Sequence, residues 1–350
     1  MRTPDVYLRS IGVHLPPVVT IETAVAEGRY PADEVEYFRL GGAAVAGDVP
    51  APELALRAAR HAFERSGGLS PRDLDLMLYS DVWHQGPEGW EPQYYLQQHL
   101  VGGDVLAVEM RHGCCGMFSA LQLTAGYLRP DGGTALLVGA DNHGTPLVDR
   151  WRMIEGAVMG DGGCALLVTT EGGFAELRSV NVVVLPEAEA VNDGGVPMFP
   201  PDATVGRPLD FAARNREFRK RLIGGNGADV MLAIQKTLLE LVDRTLQEAD
   251  VTLDEVARVA FPHGRWDDLE HRGVNWLGLT LADTTWDYGA RIGHLGVGDQ
   301  FVALDHLLTT GALAAGDHVL LVGLGAGTTM ACAVLRILDI PPEYRSGGPA

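Results

Sequence analysis

The strongest constraint on how this chain can fold is that it repeats itself once. The segment Leu69–Asp81 reads as a helix-ending turn followed by a buried strand, and Val251–His263 renews that pattern 182 positions later. Phe118-Ser-Ala-Leu121 returns as Phe301-Val-Ala-Leu304 at an offset of 183, and Ala135-Leu-Leu-Val-Gly-Ala140 returns as Val319-Leu-Leu-Val-Gly-Leu324 at 184. Three landmarks keeping step within two residues mark a duplicated unit. Each copy runs helix, buried strand, loop, helix, buried strand, the order expected where helices cover a sheet that is apolar on both faces. The helices before the paired strands are predicted over Pro52–Ser66 and Asp229–Ala249, the second with Met231, Ile234, Leu238 and Leu241 at three-to-four spacing. The expectation is therefore two α/β halves, residues 1–172 and 173–350.

Composition narrows what such a fold can do. Among 350 residues, 27 Lys and Arg stand against 46 Asp and Glu, a formal net charge of −19. A surface so charged repels phosphate backbones and anionic headgroups, which argues against nucleic acid and membrane as partners. With 46% apolar and 21% charged residues, the chain can build two or three domain-sized cores and does not fit disorder. Its four cysteines, Cys114, Cys115, Cys164 and Cys332, have no CxxC pairing, so a reducing, cytoplasmic setting is expected. Arg2, Asp5 and Arg9 precede Pro16-Pro17 and leave no continuous apolar stretch for a secretory signal. Val319–Leu335, seventeen uncharged residues, is interrupted by Gly323, Gly325 and Gly327 and is predicted as strand, turn and strand, not a membrane span. Glu187–Gly206, rich in Pro, Gly and Asp, is predicted as a long loop that covers a site.

Gly113-Cys-Cys-Gly116 falls between the apolar segment Val105–Met110 and the helical run Met117–Leu128, placing a thiol where a strand hands over to a helix. The first turn of a helix offers free N–H groups and a positive dipole end, which favour a thiolate and an oxyanion alike. That suits a nucleophile; a pair of small cysteines packing a tight turn fits the same pattern. No metal is expected, because His112 and the two thiols lack a second ligand cluster.

Cys114-Cys-Gly with Ala120-Leu121 following, then Gly160-Asp-Gly-Gly-Cys-Ala165, Phe261-Pro-His263 and the terminal Gly323-Leu-Gly-Ala-Gly327, together resemble the β-ketoacyl-acyl-carrier-protein synthase III branch of the thiolase fold. The resemblance covers nearly the whole chain. It implies two pseudo-symmetric halves in a five-layer αβαβα arrangement, an obligate homodimer, and Cys114, not Cys115, as the acylated residue. It also implies an oxyanion hole from the backbone N–H groups of Cys114 and Ala326. The donor is then a coenzyme A or phosphopantetheine thioester, with no permanently bound cofactor.

The sequence departs from a condensing member of that family at two places. Where those enzymes carry Pro-His-Gln-Ala-Asn, this chain has Pro262-His-Gly-Arg-Trp266, and where they carry Gly-Asn-Thr-Ser it has Gly293-His-Leu-Gly. In a decarboxylating condensation the histidine and asparagine are neutral hydrogen-bond donors to an enolate oxygen, and here His294 occupies the asparagine position. Asp299 follows five residues later, so a carboxylate can orient the imidazole and stabilise its charged form, giving a general base. Cys114, His294 and Asp299 then form an acyl-transfer triad, similar to that of the ketosynthase-III-like acyltransferases of natural-product pathways, including polyketide and antibiotic biosynthesis; His263, at its family position, is a fourth catalytic candidate, as the base's neighbour or as a donor to the acyl carbonyl. Two other readings stay open: Asp299 as a cap for the helix starting near Gln300, and His294 as the second histidine of a Cys-His-His condensing site.

Three functions follow from these alternatives. The first is acyl transfer from a coenzyme A or acyl-carrier-protein thioester through Cys114 to a small-molecule hydroxyl, such as that of a sugar, or to a carrier thiol. The second is decarboxylating condensation, and the third a non-catalytic partner subunit on the same scaffold. Candidate donor-binding arginines are Arg39, Arg150 and Arg219. Arg39 keeps the family's place, but Val35 stands where the family's adenine-stacking tryptophan would be. Arg219 belongs to the basic run Arg214, Arg216, Arg219, Lys220 and Arg221, which could seat a phosphopantetheine or an acidic carrier helix. Trp83, Trp90, Trp266 and Trp286 could stack a sugar ring, or simply pack the core.

Overall fold

The computed structural model describes residues 1–345 except 83, 88, 130–131, 145–147, 192, 194, 200–208, 224–226 and 326–327. Among the described residues the strands are β1 (Tyr7–His14), β2 (Val18–Thr20), β3 (Gly42–Ala44), β4 (Leu76–Asp81), β5 (Leu106–Arg111), β6 (Thr134–Asp141), β7 (Gly162–Thr169), β8 (Ala175–Val184), β9 (Val256–Ala260), β10 (His318–Gly325) and β11 (Thr329–Ile337). Nine of them bond in the order β5-β4-β6-β7-β1-β8-β11-β10-β9, while β2 and β3 form a separate ribbon. The join at β1 and β8 is slight, limited to Tyr7↔Glu176 and Leu8↔Ala175, whereas β1 runs along β7 and β8 along β11 for most of their lengths. The strands thus form two sheets touching at one corner.

Each sheet repeats the other's construction. A parallel pair, β4 with β6 or β9 with β10, is followed by two antiparallel steps. β6 and β10 begin 184 residues apart, the offset seen for their apolar runs. The uncharged stretch predicted as strand, turn and strand is β10 and β11, whose partners run from His318↔Arg336 to Gly325↔Thr329.

Helices fill the layers between and outside the sheets. Ala51–Glu64 buries Ala51, Leu54, Ala55, Ala58, Ala59 and Ala62 at helical spacing against β1, β6 and β7. Small residues let the backbones approach closely: a Cβ added at Gly12 would lie 2.1 Å from Ala58 O, and one at Gly163 2.5 Å from Leu54 O. On the other outer face, Gly227–Ala249 packs Leu238, Leu241, Val242 and Leu246 toward β8 and β11. Between the sheets lie Gly116–Tyr127 and Asp299–Thr309, with the rings of Phe118 and Phe301 5.3 Å apart. Both inner helices are apolar over most of their circumference, as burial from two sides requires. The result is the five-layer thiolase-like αβαβα arrangement. It also sets the N-termini of the two inner helices, one from each repeat, at the same central layer.

Candidate active site

Cys114 lies between the end of β5 at Arg111 and the Gly116–Tyr127 helix, in a turn opened by Gly113 at φ +53°. The two adjacent thiols differ in environment. Cys115 is fully buried, its Sγ 3.7 Å from Thr329 O, and burial pushes its thiol well above the ordinary range. Cys114 is only partly buried, and its Sγ faces His294 Nε2 at 3.1 Å.

His294 reaches this place from the glycine-rich segment before the other inner helix. Gly293 has φ +79° and Gly296 φ +67°, and a short bridge holds the loop between them: His294 N–H donates to Val158 O, and Gly160 N–H donates to His294 O. The other face of the ring carries the carboxylate, with His294 Nδ1 2.5 Å from Asp299 Oδ2. Asp299 also accepts from Leu295 N–H at 2.7 Å and His263 N–H at 2.6 Å. Its helix is preceded by Gly298 with no side-chain cap, so the carboxylate spends its bonds on the histidines and their loops instead of on the helix end.

Burial alone would push the Asp299 carboxyl up, but the charges of His263 and His294, with the bonds from His294 and Leu295, hold it below its usual range. For His294 burial likewise works against charge, yet Asp299 and Cys114 hold its pKa well above the ordinary histidine value. A protonated imidazole beside the sulfur can return its proton to a leaving group, and once neutral it can take one from an incoming nucleophile.

A second buried carboxyl braces the loop. Asp141, at the end of β6, accepts from Val82 N–H at 3.0 Å and Val297 N–H at 3.3 Å, and a Cβ at Gly296 would lie 2.1 Å from its Oδ2. Burial pushes Asp141 up to about 8. Asp81, at the end of β4, is also pushed up to about 8, by burial first and then by Asp141 and Glu109. Both carboxyls thus keep a proton in the folded protein across the window from the unfolded value of 3.8 to about 8. The folded state binds more protons there, so stability is greatest at the acid side of the window and falls as pH rises through it. Melting curves from roughly pH 5 to 9 should show that decline. Asp81→Asn, which cannot ionise, should flatten it; an unaltered slope in that variant would rule the account out.

Two cavities meet at His294. One, of about 350 Å³, contains Cys114 and is walled by Met153, Ile154, Met159, Phe211 and Met330. The other, of about 470 Å³, is bounded by Phe218, Arg219, Phe261, His263, Arg265 and Trp276. Val191, within the Glu187–Gly206 segment predicted to cover a site, lines both, while residues 192, 194 and 200–206 of that segment lie outside the described ones.

The predicted donor-binding arginines separate. Arg219 stands on the wall of the larger cavity. Arg39 has its guanidinium 4.2 Å over the ring of Trp266 and 5.6 Å from that of Trp286, so both tryptophans pack against an arginine. Arg150 corrects the expectation: its guanidinium is buried, donating to both oxygens of Asp161 at 2.9 Å and to Met159 O at 3.1 Å, which leaves it engaged within the fold. Although burial opposes it, bonds from His143 and Arg150 hold Asp161 down to about 2. Trp90 packs on Gly86. Trp83, Ala326 and the side chain of Arg221 lie outside the described residues. Trp276 was not marked out by the sequence, since a lone tryptophan in an irregular segment carries no pattern. Among the described residues no group of three or more potential metal ligands stands together, and no helix is long and apolar enough to cross a membrane.

A model of the 3-oxoacyl-[acyl-carrier-protein] synthase III C-terminal family matches residues 246–337. The chain is 24% identical over 295 residues to the β-ketoacyl-[acyl-carrier-protein] synthase III of Clostridium perfringens strain SM101, covering 81% of this chain and 84% of that one. Among solved structures, ChlB3, described as an acyltransferase, is 49% identical with a TM-score of 0.91, covering 97% of this chain and 100% of its own. The 3-oxoacyl-[acyl-carrier-protein] synthase III of Aquifex aeolicus VF5 has a TM-score of 0.73 at 18% identity, over 95% of this chain and 99% of that one, a likeness of fold.

Proposed function

Because this chain belongs to the β-ketoacyl-acyl-carrier-protein synthase III family and is therefore an acyl-transferring enzyme of the thiolase fold, we propose that it is an acyltransferase, not a condensing enzyme. It takes an acyl group from a coenzyme A or carrier-protein thioester onto Cys114 and delivers it to an acceptor hydroxyl or carrier thiol. The observation that carries this reading is the continuous chain from Cys114 Sγ through His294 to Asp299 at 3.1 and 2.5 Å. ChlB3, at 49% identity, supports the same reaction class.

In the first half-reaction the Cys114 sulfur attacks the donor's carbonyl carbon, a new C–S bond forms, and the donor's C–S bond breaks. The departing thiolate takes the proton held by His294. In the second, the acceptor's oxygen or sulfur attacks the acyl-enzyme, its proton passes to His294 Nε2, and collapse of the tetrahedral adduct expels Cys114. The backbone N–H groups of Cys114 and Ala326 would receive the oxyanion. Asp299 keeps the imidazole oriented throughout. Arg39 and Arg219 are assigned to the donor, and His263 to the site wall.

The same reading includes a homodimer. β5 is the outermost strand of its sheet, and Leu106 and Val108 on it are 52% and 40% exposed, so an unpaired apolar edge is available to a second copy.

The deciding experiment supplies isotopically labelled acetyl and malonyl thioesters and follows Cys114 by intact mass alongside carbon dioxide release. An adduct discharged by an alcohol or thiol without gas is the expected result. Carbon dioxide released at the turnover rate would instead establish condensation.

A further inference from the structure

The buried Arg150 holds more than its carboxylate partner. Its two terminal nitrogens donate to the two oxygens of Asp161 at 2.9 Å each, and Nη1 also donates to Met159 O at 3.1 Å. The main chain grips from the other side, because Met159 N–H donates to Arg150 O at 2.8 Å. Met159 is therefore fixed at both its amide and its carbonyl by one residue. Asp161, fully buried, is anchored in turn: its oxygens accept from Ala46 N–H at 2.8 Å and His143 N–H at 2.7 Å, and its own N–H donates to Ala44 O at 2.8 Å. A guanidinium bound to a carboxylate at two points has a set direction as well as a charge.

The residues on either side of Met159 carry the loop of the base. Val158 O and Gly160 N–H make the two 2.8 Å bonds that hold the backbone of His294, and Met159 stands opposite His294 in this bridge. The approach is close: a Cβ at Gly160 would be 2.2 Å from Ile292 O, and one at Gly293 2.8 Å from Val158 O. We propose that Arg150 is a positioning residue for acyl transfer, clamping Met159 so that the bridge sets how near His294 stands to Cys114. The inference rests on the acyl-transfer reading and deepens it. His294 takes its orientation from Asp299, five residues along the same segment, but Cys114 comes from the other repeat. A slack bridge lets imidazole and carboxylate move together and widens the 3.1 Å gap to the sulfur.

Arg150→Lys keeps a positive charge beside Asp161 but cannot aim donors at both its oxygens and at Met159 O as the planar fork does. The folded variant should keep its donor KM and lose kcat roughly ten- to hundredfold, the scale of a displacement near one ångström. Alkylation of Cys114 by iodoacetamide should slow with it, since the sulfur has lost its imidazole neighbour. The double variant Arg150→Met with Asp161→Asn removes the clamp without stranding a buried charge and should show the same two losses. Thr245→Ala serves as the comparison for lost stability alone: it removes buried hydrogen bonds to Leu241 and Asn181 on the outer Gly227–Ala249 helix and should leave both rates unchanged. Wild-type kcat and alkylation in a folded Arg150 variant overturn the proposal. So do a loss confined to donor KM, which would return Arg150 to donor binding, and an equal slowing in Thr245→Ala. Iodoacetamide needs no acyl donor, so this arm decides the clamp even if wild-type Cys114 fails to load a thioester, the result that would defeat the acyl-transfer reading itself.

Discussion

Cys114→Ala should form no acyl adduct with any thioester donor and should lose on the order of a thousandfold or more in turnover, since the covalent route disappears with the sulfur. Cys115→Ala is the informative companion. Its thiol is fully buried, and its Sγ lies 3.7 Å from Thr329 O. Replacing it removes packing beside Phe118 and Gly323, which costs about 1 kcal/mol in stability, but leaves Cys114 Sγ at His294 Nε2. Intact-mass labelling of both variants, read with steady-state turnover and a melting curve, separates the roles. An adduct on Cys114→Ala, or labelling that follows Cys115, would overturn the assignment of the nucleophile. The contrast is sharp because adjacent residues at the same helix entrance differ mainly in access, and only one has a base within reach.

That distinction was partly legible before any coordinates. Apolar runs at matching offsets encode strands buried on both faces, so the duplicated sheets could be read from Ala135–Ala140 and Val319–Leu324 alone. The helix entrance at Cys114 was legible for the same local reason, as was the five-residue step from His294 to Asp299. What escaped depends on contacts between segments with no sequence relation. Asp141 supports Val297 across 156 positions, and nothing near Asp141 announces that partner. Arg150 is a donor-binding candidate in the sequence, where its charge is visible, whereas its bidentate bond to Asp161 is visible only after folding. In the sequence Trp266 and Trp286 fit a sugar platform or core packing alike, and only folding brings Arg39, about 230 residues away, against them. Periodicity reports which face of an element is buried; it does not report which loop meets which.

Asp299→Asn is expected to lower kcat by roughly 10²–10⁴ with the fold retained, because one carboxylate serves several demands that an amide cannot meet together. Its oxygens receive His263 N–H, Leu295 N–H and the His294 ring. An asparagine has one accepting oxygen and turns an NH₂ toward at least one of these donors, so the His294 ring loses either its orientation or its tautomer. The electrostatic consequence has a definite sign. Burial already pulls His294 down, and the charge of Asp299 is a main reason its pKa stands well above the ordinary value; without that charge it should fall. In the wild type the raised His294 contributes stability that is complete below its unfolded value of 6.5 and is lost as pH rises through the folded one, so the variant should lose stability chiefly at neutral and lower pH. The depressed Asp299 contributes in the opposite sense, with stability present above 3.8 and lost as pH falls through its folded value. NMR titration of His294, kcat, and melting curves at acid and neutral pH test the coupling together. Near wild-type turnover with an unmoved His294 titration would show that the carboxylate merely fills space, and the base would then have to be sought at another residue.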